Sequence, residues 1–132
     1  MNPHARIYDL TFEERPGYLI ARIASQTVYA EMAREYLKEI ADKAIAKKYD
    51  RIIIERKIPV MLSDVDLYET TKYFLELINS RRVAFVNPYA QIKKDMEFAI
   101  LIGKNRGANY RLFDNVPAAA RWLRDENSVF TY

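Results

Sequence analysis

The chain has 132 residues, half of them hydrophobic and 30% charged, with a net charge of +3 and no cysteine. That length suits one domain around a single core, and the balance excludes wholesale disorder. The absence of cysteine excludes disulfides, thiolate nucleophiles and cysteine metal sites, and fits a reducing, cytoplasmic setting. The charge is too mild to require a nucleic-acid partner. Its excess, in Arg81, Arg82, Lys93, Lys94, Lys104, Arg106, Arg111, Arg121 and Arg124, reads as scattered solvated charge without a basic-aromatic motif. Residues 1–6 do not resemble a signal peptide, and no apolar run approaches the ~20 residues that span a bilayer.

Residues 7–14 alternate, with Tyr8, Leu10 and Phe12 on one side and Asp9, Thr11 and Glu13 on the other, which predicts a half-buried strand. Arg15-Pro16-Gly17 is a turn and residues 18–24 a second strand, so the two form an antiparallel hairpin. Over 27–47, Val28, Met32, Tyr36, Ile40 and Ala44 recur at helical spacing, widened by Ala33, Leu37, Ala41 and Ile45. Glu39 and Lys43 are a favourable pair four apart, and Lys47 and Lys48 suit a helix C-terminus.

Arg51-Ile52-Ile53-Ile54 is a continuous β-branched run, the mark of a parallel strand covered by helices on both faces. Ser63 reads as the N-cap of a helix with Asp64 and Asp66 in its first turn, and Leu67, Thr71, Phe74, Leu75 and Ile78 as its inner face. Residues 82–87 form a buried strand ended by Pro88. A third helix places Ile92, Met96, Ala99 and Ile100 on one side and stops near Gly103 or Gly107. Tyr110 to Phe113 is the last strand. Asp114 or Asn115 caps a fourth helix that buries Ala119, Trp122 and Leu123. The order β-β-α-β-α-β-α-β-α predicts a single α/β domain with an open mixed sheet of about five strands and helices on both faces.

With the elements placed, Arg82-Val83-Ala84-Phe85-Val86, Met96-Glu97-Phe98, Tyr110-Arg111-Leu112-Phe113-Asp114 and Ala118-Ala119-Ala120-Arg121-Trp122-Leu123 resemble the SpoIIAA-like family of the STAS, or anti-sigma-factor-antagonist, fold. The resemblance covers about a third of the chain, within 82–123. It implies a non-enzymatic module that binds protein partners. It also implies a candidate phospho-switch at Ser63, near where such domains carry an Asp-Ser-Ser-Gly-like motif. Here the second Ser and the Gly are absent.

Catalytic signals are poor. His4 is the single histidine, no His-plus-carboxylate helix spacing exists for a metal, and three glycines make no phosphate loop. No cofactor is expected. Ligands of open α/β sheets favour the carboxyl ends of the strands, where Glu55, Arg56, Lys57, Asn87, Tyr89 and Asp114 fall, with Ser63 at the same end. Those six are the candidate binding cleft, read against capping and turn roles for Ser63, Asp114 and Asn87. Phe98 and Leu101 point away from the inner face of the third helix, and Tyr68 and Tyr73 lie off the stripe of the second, so these four are the candidate interface. The expectation is a protein-interaction module, with a protein partner or self-association as a homodimer. The alternative is a carrier of a small amphiphilic ligand in a pocket between sheet and helices.

Overall fold

The computed structural model describes residues 7–125, so His4 and the C-terminal tail lie outside the described residues. Alternation and a Pro-Gly turn build the first unit. Strands β1 (Asp9–Arg15) and β2 (Tyr18–Ala24) pair antiparallel, with Phe12 opposite Ala21. Gly17 turns the chain at φ 87°, a conformation open to glycine at no steric cost. Helix α1 (Ala30–Ala46) follows, then β3 (Arg51–Lys57), α2 (Asp64–Ile78), β4 (Arg82–Val86), a 3-10 turn (Ala90–Ile92), α3 (Lys93–Asn105), β5 (Asn109–Phe113) and α4 (Val116–Arg124). The sheet order is β1-β2-β3-β4-β5, and every pair after the hairpin is parallel.

The isoleucine run explains the layering. Ile52 and Ile54 point into a core shared with α1, α2 and α3, while Ile53 points the other way, toward α4. All three are at most 2% exposed, and each such burial is worth roughly 1.5–3 kcal/mol. Three helices therefore cover one face and α4 alone the other. On that second face β1 and β2 carry a chain of charges: Glu13 pairs with Arg15 and with Arg22 (2.8 Å), and Arg22 with Glu55 (3.0 Å).

Helix α1 buries Met32, Ala33, Tyr36, Ile40, Ala41 and Ala44. Ile45, expected to widen that stripe, is 46% exposed, because its position rotates it past the edge of the packed arc. Lys38 and Asp42 form an ion pair four apart on this helix. Glu39 accepts a hydrogen bond from the Tyr8 hydroxyl, as does Glu35 at 2.7 Å. Burial and these two carboxylates raise the Tyr8 hydroxyl well above its usual value.

Helix ends follow capping chemistry. Ser63 caps α2 by accepting from the Asp66 N–H, and Asn115 caps α4 by accepting from the Ala118 N–H at 2.9 Å. Asn115, and not Asp114, is thus the cap. Helix α3 runs through Gly103. It ends in a Schellman arrangement in which the Ala108 and Gly107 N–H groups donate to the Gly103 and Lys104 carbonyls, with Gly107 at φ 85°. Gly103 matters for space and not for its backbone angle. A Cβ there would lie 2.4 Å from Cδ2 of Tyr110, so only glycine lets β5 approach α3.

Candidate functional site

The carboxyl ends of β3 and β4 are tied up by their own side chains. Glu55 and Arg56 are successive residues of β3 and point to opposite faces of the sheet. Glu55 pairs with Arg22 on the α4 side. Arg56, only 5% exposed, lies under the three helices and donates from Nη1 to the Ile58 carbonyl and from Nη2 to the Val60 carbonyl, both at 2.8 Å. It pins the segment that leads into α2. Asn87 is buried and closes an Asx turn: its Nδ2 donates to the Tyr89 carbonyl (2.8 Å) and its Oδ1 accepts from the Tyr89 N–H (3.0 Å). Lys57, Ser63 and Asp114 are exposed and Tyr89 is half-buried.

A groove of about 570 Å³ opens at the β5 edge, between that strand and α3. Lys93, Glu97, Leu101 and Lys104 recur at helical spacing along one wall, and Arg111, Phe113 and Asp114 line the other. Leu101 is 53% exposed and Phe98, beside it on the helix, 39%. The Arg111 guanidinium lies 5.5 Å from the Phe113 ring centre. The edge is open in hydrogen-bonding terms too. The Phe113 carbonyl accepts from the Asn87 N–H, so by alternation the backbone groups of Tyr110 and Leu112 face away from β4. Of the other interface residues, Tyr68 is exposed and lies between Lys72 and the Arg106 guanidinium, which contacts its ring and hydroxyl. Tyr73 is half-buried.

The structure corrects one charge assignment. Arg82, read as solvated, is 7% exposed, with its guanidinium 4.0 Å from the centre of the Trp122 ring. It opens β4 on the face that α4 covers, and a planar cation stacks there on the indole. Arg81 is also engaged, donating to the carbonyls of Tyr49 (2.9 Å) and Ile78 (3.2 Å). Among the described residues no group of three or more His, Cys, Asp or Glu is placed to hold a metal, and no helix is long and apolar enough to cross a membrane.

No family model matches the chain, and no curated protein matches it in sequence. Solved structures do match in shape. The crystal structure of an anti-sigma factor antagonist from Mycobacterium paratuberculosis aligns with a TM-score of 0.59 at 14% identity, over 89% of this chain and 95% of that one. The NMR structure of the protein TM1081 aligns with a TM-score of 0.55 at 13% identity, over 94% and 93%. At these coverages the likeness extends well beyond the segment 82–123 that carries the sequence resemblance. The chain has the SpoIIAA-like fold of the anti-sigma-factor antagonists.

Proposed function

We propose that this chain is a non-catalytic regulatory module that works by docking a protein partner along the groove between α3 and β5. The observation that carries this reading is the open sheet edge itself: outward-facing backbone groups at Tyr110 and Leu112 beside the exposed apolar side chains of Leu101 and Phe98. An extended segment can add to such an edge through its backbone while its alternate side chains enter the groove. The anti-sigma factor antagonist of like fold supports a role in regulation by protein contact. The bound segment is a partner's or a second copy's.

The test is light scattering on the purified chain, followed by affinity capture with the wild type and Leu101→Glu as parallel baits. A second copy, or a protein held by the wild type and lost by the variant, is the expected result. A strict monomer that captures the same proteins with and without the substitution refutes the reading.

A further inference from the structure

Alternation along β5 decides what its free edge can recognise. Leu112 packs against the core shared with α1, α2 and α3, while Phe113 packs against Trp122 of α4, with 5.6 Å between ring centres. Arg111, two residues before Phe113, therefore shares the α4 face with it. A strand laid along this edge sends its side chains alternately toward the two helices. Those turned toward α3 meet Leu101 and Leu112, and those turned toward α4 meet Arg111 and Phe113. The groove is separate from a small cavity of about 70 Å³ beneath α2, whose wall includes Ile54, Phe74, Phe85 and Tyr110.

Charge is divided along the length of the groove. Because β4 and β5 are parallel, α3 runs back between them, and Gly103 lies against Tyr110. Lys104 thus stands beside the first half of β5, where Arg111 also lies. The carboxylates of the lining are Glu97 and Asp114. Glu97 is seven residues from Lys104, about 10 Å along the helix, and Asp114 is three residues from Arg111, about 10 Å along the strand. Lys104 and Arg111 are both exposed, and among the described residues neither forms an ion pair. One half of the groove is therefore cationic and unpaired, next to the exposed side chain of Leu101.

We propose that the groove selects an extended segment of a partner protein in which an acidic residue adjoins an aliphatic one, the carboxylate pairing with Arg111 in the field of Lys104 and the aliphatic side chain lying on Leu101 and Leu112. This rests on the reading of the groove as a docking site and adds the chemistry of its occupant. Leu112 supplies the backbone contact, since its N–H and carbonyl face away from β4. A donor and an acceptor side by side match the donor and acceptor of another peptide backbone, whereas the phosphate backbone of DNA offers acceptors alone. A basic segment meets two unpaired cations and is repelled.

The probes are two blocked peptides, Thr-Val-Glu-Val-Thr and the same sequence with lysine in place of glutamate, titrated into the full chain and followed by NMR at the Arg111 and Leu112 amides. The glutamate peptide is expected to bind about threefold tighter at low salt, with the gap narrowing as salt is added. Arg111→Glu, a change at an exposed side chain, is expected to reverse the preference. In an added strand the N–H groups point alternately toward β5 and away from it. N-methylation of both valines and N-methylation of the glutamate are therefore expected to differ, one abolishing binding and the other leaving it intact. Four results overturn the proposal: equal binding of the two peptides, an unchanged preference in Arg111→Glu, equal tolerance of the two methylations, or tighter binding of a ten-nucleotide oligothymidylate at the same amides. Failure of both peptides to bind, with protein capture still dependent on Leu101, refutes the acidic segment and leaves the docking groove standing.

Discussion

Gly103→Ala sets two known effects against each other. Within a helix, alanine is favoured over glycine by about 0.8–1.0 kcal/mol, so on propensity alone the substitution stabilises. The new Cβ, however, would stand 2.4 Å from Cδ2 and 2.7 Å from Cε2 of Tyr110, with the Ala108 Cβ at 3.4 Å. The ring must retreat by roughly 1 Å to reach ordinary contact, at ~3.5–4.0 Å between carbons. Behind it stand Phe85 and Phe74, and its backbone is fixed to β4 by the parallel ladder. Overpacking of this kind costs typically ~1–3 kcal/mol. With backbone on one side of the ring and two aromatic rings behind it, the steric term falls in the upper part of that range and exceeds the propensity term, so a net loss of up to about 2 kcal/mol is expected. Urea unfolding measures it as a lower midpoint with an unchanged slope. In a Tyr110→Ala background the clash is gone, and the same substitution becomes stabilising by about 1 kcal/mol. A Gly103→Ala chain as stable as the wild type refutes the reasoning, because the ring would then have room to move.

Backbone conformation gives a second pair of tests. Lys48 and Asn79 adopt φ 62° and 57°, where an L side chain is strained by about 1 kcal/mol or more. Lys48→Gly and Asn79→Gly are each expected to raise stability by about 0.5–1 kcal/mol in the same urea assay. Removing the caps does the reverse: Ser63→Ala and Asn115→Ala should each cost about 1 kcal/mol, with the α4 amides exchanging faster in Asn115→Ala. Glu13 supplies the pH test. Its hydrogen bond from Arg22, then that from Arg15, holds its carboxyl below the usual 4.5. A lowered folded-state value means stability that is present above the unfolded value and is lost as pH falls through the folded one. The difference between the wild type and Glu13→Gln should be constant at neutral pH and shrink in acid. A difference that grows in acid refutes the assignment.

The elements were legible because their patterns are strong. The alternation at Leu10 and Phe12 became the inner side of an edge strand, with Tyr8 packed on the same core just before it, and Ile52-Ile53-Ile54 became the strand shared by two cores. What stayed hidden were properties of pairs in different elements. Gly103 reads as a helix stop because glycine usually ends helices; its actual constraint is the ring of Tyr110, in another element. Arg82 reads as surface charge because nothing local marks it, and its burial depends on Trp122 arriving from α4. The strand-end group was legible as a location but not as a geometry. Alternation separates Glu55 from Arg56, and the hydrogen-bonding atoms of Arg56 and Asn87 hold nearby backbone.

The two concavities follow from one asymmetry in how the helices meet the sheet. Helix α3 lies close on β5, and it does so because Gly103 has no side chain. That approach leaves Leu101 and Lys104 leaning over the sheet edge, and so makes the groove. It also turns the Tyr110 ring inward, against Phe85 and below α2. Helix α2 rests laterally on its two neighbours and reaches the sheet through Phe74, so the space under it depends on how far α1 and α3 hold it up. Gly103 therefore bears on both concavities at once. A substitution that pushes Tyr110 toward Phe74 should narrow the cavity and widen the groove, whereas Leu101→Glu should alter the groove alone. Measured together, the urea midpoint and partner retention separate those effects: in Gly103→Ala both change, and in Leu101→Glu only retention does.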